Sequence, residues 1–342
     1  MEQSHSKAFT YNLLPQYSIN QNSSPRAIAI NKNNTLLVVE AYYFVKFFTF
    51  KRGEIRLLQR FEFRNSNHNT LNFQMQKQDI VSSSQKFVCK YSSKLMANPK
   101  YIQKCSGQFN ANCLILHPLN EDIIIVGSLL GQIDFLFTNQ SGSIKPFKQT
   151  IKEHSSVLGL SINNDGKRVI SCGKDNFILI LEPNSTNSEL STYIWTVKQK
   201  LFVEQYGYRI CFINNDKFTF QPSHSPYMNL YCEINGFFLL KSQHLLSSDK
   251  NDPRCIFQQV YNKQKSLIYN IYGRALQIIR LSKDQSLQTD KSEESFQLEQ
   301  LIDFGNNYNP WIFGVISEDA EYIITWDFYS EQIQIRQFQN TE

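Results

Sequence analysis

Short apolar segments separated by polar turns recur along the chain, and no stretch shows the period expected of a long amphipathic helix. The clearest unit has apolar runs at 157–162, 168–173 and 177–181. The first two runs flank Asp165 and Gly166, and Asp-Gly between apolar runs is typical of a β-hairpin turn. The pattern therefore predicts short antiparallel strands.

Seven such units follow one another along the chain. Their first strands start near positions 27, 71, 113, 157, 210, 255 and 312. A repeat of roughly 40–45 residues with four strands per unit is the signature of a β-propeller. Two units are longer and contain polar stretches at 183–190 and 282–297, which we expect to be surface loops. The sequence predicts an all-β fold, a single seven-bladed propeller over 1–342 with four-stranded antiparallel blades.

The two ends of the chain complement each other in this scheme. The last unit ends after its third apolar run, at 333–338, and so lacks an outer strand. The apolar stretch 8–14 precedes the first unit and can supply that strand. Closure of this kind removes exposed sheet edges. We expect it in preference to an extended N-terminal arm, which is the alternative.

One unit, over 153–182, resembles a WD-repeat of the G-protein β type. Its hairpin at 164–167 and its turn at 171–176 match that family, and Glu153-His154 stands where the family has Gly-His. The resemblance implies that His154 and Asp175 form a hydrogen bond inside the blade, with Ser171 as a candidate third member. Leu181 stands where the family has tryptophan, so one expected member of the network is missing.

The rest of the chain agrees with the WD-repeat family in period rather than in motif. The literal pair Trp326-Asp327 falls at the turn before a third strand, not at that strand's end where the family has it. The resemblance implies a scaffold or adaptor that binds other proteins or peptides, within a multi-subunit complex in some cases.

The charge of the chain is mildly positive, with a formal net charge of +5 and a pI near 8.7. Basic residues are scattered, whereas nucleic-acid-binding proteins usually cluster them. The densest group, Lys46 to Arg60, is interrupted by apolar residues, and we interpret it as two strands with solvated ends rather than a phosphate-binding patch. Nucleic acid is therefore not an expected partner.

The seven cysteines show neither zinc-site spacing nor a disulfide framework, so we expect free thiols in a reducing compartment. The first residues carry no apolar stretch and no run of 18 apolar residues occurs, so neither a signal peptide nor a membrane span is expected. These features favour the cytoplasm, with the nucleus left open.

A search for catalytic motifs gives no match to nucleophile-elbow, phosphate-loop, dinucleotide or zinc-protease patterns. His117 precedes Pro118 at a strand end and is expected to be a turn residue, and His224 is expected in a surface loop. We therefore predict no enzyme activity, no cofactor and no metal.

Aromatic residues and one arginine at strand ends are the candidate partner-binding residues, because Tyr, Trp and Arg dominate protein-interface energies. They are Tyr42, Tyr43, Tyr206, Tyr208, Arg209, Tyr308, Trp311 and Trp326. The alternative is that these side chains fill the space between blades.

Three functions remain open from the sequence. The favoured one is a non-catalytic scaffold that binds partners through the propeller rim. The others are an enzyme or small-molecule site in the central channel, and an RNA-associated subunit of a larger particle. Fold alone does not decide among them.

Overall fold

The computed structural model describes residues 9–41, 44–62, 68–92, 102–138, 144–184, 194–246, 257–283, 294–305 and 311–341, and all structural statements concern these residues. Apart from a short 3-10 helix at Pro15–Tyr17, their regular structure is β-strand. The strands, in chain order, are β1 (Phe9–Leu13), β2 (Ile19–Asn20), β3 (Ala27–Ile30), β4 (Leu36–Ala41), β5 (Phe44–Lys51), β6 (Glu54–Glu62), β7 (His68–Phe73), β8 (Ile80–Ser84), β9 (Phe87–Tyr91), β10 (Ile102–Ser106), β11 (Ala111–Leu116), β12 (Ile123–Ser128), β13 (Gln132–Thr138), β14 (Ile144–Lys152), β15 (Val157–Ile162), β16 (Val169–Gly173), β17 (Phe177–Pro183), β18 (Trp195–Phe202), β19 (Arg209–Asn214), β20 (Lys217–Gln221), β21 (Tyr227–Ile234), β22 (Phe237–Leu245), β23 (Val260–Asn262), β24 (Leu267–Tyr272), β25 (Ala275–Lys283), β26 (Glu294–Asp303), β27 (Ile312–Ile316), β28 (Tyr322–Asp327) and β29 (Gln332–Asn340).

These strands form seven antiparallel sheets, which are the blades of a propeller. Blades 1 to 6 each take four consecutive strands, from β3–β6 for blade 1 to β23–β26 for blade 6. Blade 7 consists of β27, β28, β29 and β1, and the short β2 also pairs with β29. The all-β, seven-bladed prediction with four-stranded antiparallel blades is confirmed.

The first strand of each blade begins close to where the sequence pattern places it. The described starts are Ala27, His68, Ala111, Val157, Arg209, Val260 and Ile312. The predicted start at 255 lies outside the described residues. The densest basic stretch, Lys46 to Arg60, forms two strands as expected, β5 and β6. The polar stretches 183–190 and 282–297 were predicted to be surface loops. Positions 183, 282–283 and 294–297 lie in strands, and position 184 directly follows a strand. The other positions of the two stretches lie outside the described residues.

The N-terminal strand closes the ring. β1 pairs antiparallel with β29 from Phe9↔Asn340 to Leu13↔Arg336. The predicted closure by the N-terminal segment is therefore confirmed, and the alternative of an extended arm is wrong. Phe9 and Tyr11 are almost completely buried, so the strand contributes apolar surface as well as backbone pairing.

The hydrophobic core lies between the blades. Seven clusters of buried side chains each join two neighbouring blades around the ring. Phe48 and Trp326, for example, belong to the cluster between blades 1 and 7, and Phe135 and Val157 to the cluster between blades 3 and 4. Successive residues of a strand face opposite sides, and the second strands are buried on both faces. This explains the continuous apolar runs in several of them, such as Ile123–Ser128.

The strand ends define two faces of the ring. In blade 1, Ala27 at the start of the first strand pairs with Glu40, and Phe44 at the start of the third strand pairs with Glu62. We call the face that carries these ends, and their equivalents in the other blades, the upper face. The lower face carries the turns between first and second strands and between third and fourth strands.

Polar contacts across the lower face link neighbouring blades. His117 Nε2 donates to the Gly166 carbonyl at 2.9 Å, between blades 3 and 4. Gly166 has φ 71°, and a Cβ there would lie 2.3 Å from the His117 ring, so this position requires glycine. Arg168 forms hydrogen-bonded ion pairs with Glu182 of its own blade and Glu233 of blade 5.

Glutamine side chains link the outer strands of neighbouring blades. Three of them follow a bulge, and each amide bonds to both the backbone N–H and the C=O of one residue in the next blade. The pairs are Gln149 with Trp195, Gln199 with Phe238, and Gln300 with Tyr11. Such contacts satisfy edge-strand groups that would otherwise pair with another chain.

Candidate functional site

The three residues that the WD-repeat resemblance brings together meet at the upper end of blade 4. His154 Nδ1 lies 3.0 and 3.1 Å from the two carboxylate oxygens of Asp175, and His154 Nε2 lies 2.9 Å from Ser171 Oγ. Asp175 also accepts the backbone N–H groups of Ser155 and Phe177, at 3.1 and 3.3 Å. The carboxylate therefore fixes the turn before β17 and the segment before β15.

Burial holds the His154 ring in its neutral form. Removal from water lowers the pKa of His154, and this effect outweighs the opposing attraction of the Asp175 carboxylate. A neutral imidazole that donates from Nδ1 to a carboxylate must accept at Nε2. The Ser171 hydroxyl therefore donates to His154, and the three groups form one oriented chain.

A serine, a histidine and an aspartate in hydrogen-bonded series are also the parts of a nucleophilic triad. Ser171 is fully buried and the His154 side chain has no exposed surface. A substrate carbonyl could not reach the serine oxygen in this structure. The arrangement instead satisfies buried polar groups and joins three segments of blade 4.

Among the described residues, the side-chain series in blade 4 runs from Asp175 through His154 to Ser171. Leu181 is buried among apolar side chains and has no polar group to offer. Trp195, which begins the next strand, stacks on Phe135 at 5.3 Å between ring centroids. Its indole therefore serves the packing between blades 3 and 4.

Two of the predicted partner-binding residues, Trp326 and Arg209, are buried rather than exposed. Trp326 is 1% exposed, and its Nε1–H donates to the Gln21 carbonyl at 2.8 Å between blades 7 and 1. Arg209 is also 1% exposed, at the start of β19. Both side chains are enclosed by the packing of blades, which was the alternative for these residues.

The remaining predicted residues are placed as follows. Tyr42, Tyr43 and Tyr308 lie outside the described residues. Tyr206 and Tyr208 are half-buried and pack edge to face, with 5.9 Å between their ring centroids. They remain candidates with part of each ring accessible.

Trp311 lies on the upper face and is 41% exposed. Phe328 and Tyr329 follow the second strand of the same blade, and the Phe328 N–H donates to the Trp311 carbonyl at 3.2 Å. Phe328 and Tyr329 are 40% and 70% exposed. We call Trp311, Phe328 and Tyr329 the aromatic patch of blade 7. Phe328 and Tyr329 lie in the turn after Asp327, and that position in the sequence is the signal for their exposure.

Three cations on the upper rim lie over aromatic rings, a feature that the sequence analysis missed. The cation belongs to a fourth strand and the ring begins the third strand of the same blade, in blades 1, 2 and 4. The pairs are Arg60 over Phe44 at 3.4 Å, Lys104 over Phe87 at 3.6 Å and Lys200 over Phe177 at 4.5 Å from the ring centroid. A repeated phenylalanine at the third-strand start was the available signal.

The central channel contains a cavity of about 350 Å³ lined mainly by first-strand residues of blades 1, 2, 3, 6 and 7. Its lining is largely apolar and carboxamide, with Arg26 and Glu318 as the charged members. Asn72 and Asn112 donate to backbone carbonyls of the next blade, so their amides serve blade packing. Within the described ranges, no group of three or more His, Cys, Asp or Glu side chains could hold a metal ion.

His117 is a turn residue, as expected, and it is also fully buried. Its Nδ1 accepts the backbone N–H groups of Leu119 and Asn120 at 3.3 and 3.1 Å. Burial lowers the pKa of His117.

In the part of the chain that the structure describes, no helix has the length and apolar character needed to span a membrane.

Comparison with known proteins supports the fold. A chain from the crystal structure of the mitotic checkpoint complex has a similar fold, with a TM-score of 0.69 and 14% sequence identity, and the match covers 96% of both chains. No protein-family model matches this sequence, and no curated protein matches it. Since 1525 chains of solved structures match, the likeness specifies the architecture rather than a function. The chain is a seven-bladed β-propeller, similar in fold to a chain of the mitotic checkpoint complex.

Proposed function

We propose that the protein is a non-catalytic scaffold of the WD-repeat kind, which binds partner proteins or peptides through the upper face and rim of its propeller. The observation that carries the proposal is the aromatic patch of blade 7. A backbone hydrogen bond joins Phe328 to Trp311, Tyr329 follows Phe328 in the chain, and all three side chains are exposed. Trp311 and Tyr329 belong to the types that dominate interface energies. The structural neighbour from a multi-protein complex supports the same interpretation.

The alternative of an enzyme in the central channel has less support. The described lining offers carboxamides and apolar groups, and the asparagines bond to neighbouring blades. The Ser171, His154 and Asp175 series is enclosed. The scaffold that we propose therefore has no catalytic site.

We also propose that the protein works in the cytoplasm, with the nucleus as the alternative. Six described cysteines are free thiols, and five of them are buried. Burial raises the pKa of Cys89, Cys113 and Cys211 to about 12, which keeps them protonated and unreactive. A reducing compartment maintains thiols of this kind.

The scaffold proposal predicts that partner capture depends on the aromatic patch. We expect the double variant Trp311→Ala/Tyr329→Ala to recover at least about tenfold less of a stoichiometric partner, since two hot-spot truncations commonly cost ~2 kcal/mol or more. The measurement is affinity purification of the full chain from its native cells, with quantitative mass spectrometry.

The matched control is Phe237→Ala/Leu239→Ala, which removes one exposed aromatic and one exposed aliphatic side chain near the lower end of blade 5. All four side chains are at least 41% exposed, so both double variants should remain folded, and denaturant unfolding of each checks this. Equal loss of the partner with the two pairs, or no stoichiometric partner for the wild type, would contradict the proposal.

A further inference from the structure

Charge pairing differs between the two faces of the propeller. The described ion pairs of lysine and arginine with carboxylates lie mainly toward the lower face, for example Lys77–Asp122, Arg168–Glu233, Lys217–Glu294 and Lys265–Glu321. On the upper face, the described pair of this kind is Lys200–Glu153, at 3.7 Å between largely exposed side chains. Of the ion pairs described, most therefore lie toward the lower face.

The cations of blades 1 and 2 have aromatic rings instead of carboxylates as neighbours. Arg60 and Lys104 are exposed and lie over Phe44 and Phe87. Among the described residues, no carboxylate forms an ion pair with either of them. A ring held against one side of a cation orients it and leaves its outer N–H groups available to an anion.

A second cation stands next to Arg60. Lys46 pairs directly with Arg60 across β5 and β6, and like charges at such positions repel each other. Lys46 Nζ donates to the Gln21 side-chain carbonyl at 2.5 Å. Burial, and then the charge of Arg60, lower the pKa of Lys46. An anion bound here would relieve this repulsion.

Exposed apolar residues lie on the same upper face, in blades 3 and 4. Leu129 and Leu130 occupy the upper turn of blade 3, and Phe202 ends the outer strand of blade 4 with 68% of its surface exposed. The order around the ring from blade 1 to blade 4 is thus cation, cation, two leucines, and then cation with phenylalanine. Carboxylates and apolar groups in alternation complement this order.

We propose that the upper rim of blades 1 to 4 binds an acidic peptide segment of a partner protein, in which apolar side chains are interspersed among aspartates and glutamates. The inference rests on the proposed function and deepens it. It names a second stretch of the upper face and the chemistry of the partner that binds there. The outer faces of Phe44, Phe87 and Phe177 are covered by the chain's own cations, so these rings cannot stack on bases. Of the rings named on this stretch, Phe202 is thus the one left exposed. Single-stranded RNA binding stacks successive bases on several rings, so the geometry favours a peptide.

The test is fluorescence anisotropy with the full chain and a short labelled peptide in which pairs of glutamates flank single leucines. We expect saturable binding that weakens as salt is raised. Arg60→Glu/Lys104→Glu should weaken binding by at least about tenfold, because it removes two attractions and adds two repulsions. Arg60→Gln/Lys104→Gln should weaken it less and serves if the reversal variant does not fold.

The matched control is Lys51→Glu/Lys263→Glu, which changes the net charge by the same amount at exposed positions of the lower face. This variant should bind as the wild type does. Absence of binding to the wild type, equal weakening by both reversals, or tighter binding of single-stranded oligouridine would overturn the inference. Partner capture through the aromatic patch without peptide binding would overturn this inference alone and leave the proposed function standing.

Discussion

Replacement of Tyr11 by alanine is expected to lower the free energy of unfolding by about 4 kcal/mol, since truncation of a buried aromatic side chain costs roughly 3–5 kcal/mol. Tyr11 is 2% exposed and packs edge to face on Tyr269, with 6.0 Å between ring centroids. Its hydroxyl donates to the Ala320 carbonyl at 2.6 Å and bonds with the Tyr269 hydroxyl at 2.6 Å. The measurement is denaturant unfolding followed by tryptophan fluorescence.

Two further variants serve as controls. Tyr11→Phe separates the contribution of the hydroxyl to stability from that of the ring, and Tyr329→Ala shows the effect of removing an exposed tyrosine. Tyr11→Phe keeps the ring but leaves the Ala320 carbonyl without its donor, so it should cost about 1–2 kcal/mol. Tyr329→Ala removes an exposed tyrosine and should change stability by less than about 0.5 kcal/mol. If Tyr11→Ala were as mild as Tyr329→Ala, the N-terminal strand would not close the ring in solution.

Removal of the imidazole of His154 is expected to cost about 2–4 kcal/mol. His154→Ala leaves the buried Ser171 hydroxyl unpaired, takes one donor from Asp175 and opens a cavity. His224→Asn is the control, because His224 is exposed and has φ 60°, a conformation that asparagine tolerates. Thermal and denaturant unfolding measure both variants, and equal stability of the two would contradict a structural role for His154.

The same residue should contribute to the pH dependence of stability. Burial lowers the pKa of His154, and likewise those of His117 and His244. A group with a depressed folded pKa contributes stability that is present above its unfolded pKa, about 6.5 for histidine, and lost as pH falls through the folded value. The wild type should therefore lose stability below about pH 6.5, and His154→Ala should lose less over the same range.

Much of the fold followed from local chemistry. Asp165 and Gly166 mark a tight turn because few residues adopt positive φ, and Gly166 has φ 71°. The last unit of the sequence has only three apolar runs, and an unpaired sheet edge is unfavourable. This pattern predicted that the segment around Tyr11 supplies the fourth strand of the last blade. The hydrogen-bonded series at His154 followed from the resemblance of one unit to a known repeat.

Features that depend on neighbouring blades could not be predicted. Arg209 and Trp326 lie near strand ends, where exposure is the usual outcome, but the adjacent blades enclose them. The amide of Gln199 reaches Phe238 because two outer strands happen to be in register across a blade boundary. Tyr329 shares the aromatic character of Trp326 but lies beyond the strand, so residue type alone does not separate the buried ring from the exposed one.

Hydrogen–deuterium exchange of the chain, free and in complex with its captured partner, tests most directly the claim that the upper face binds partners. We predict slower exchange on binding in the upper-face segments 128–131, 202–208 and 327–331. The lower-face turns 163–166, 214–217 and 317–320 should exchange as in the free chain. Protection confined to these lower turns, with the upper segments unchanged, would contradict the account.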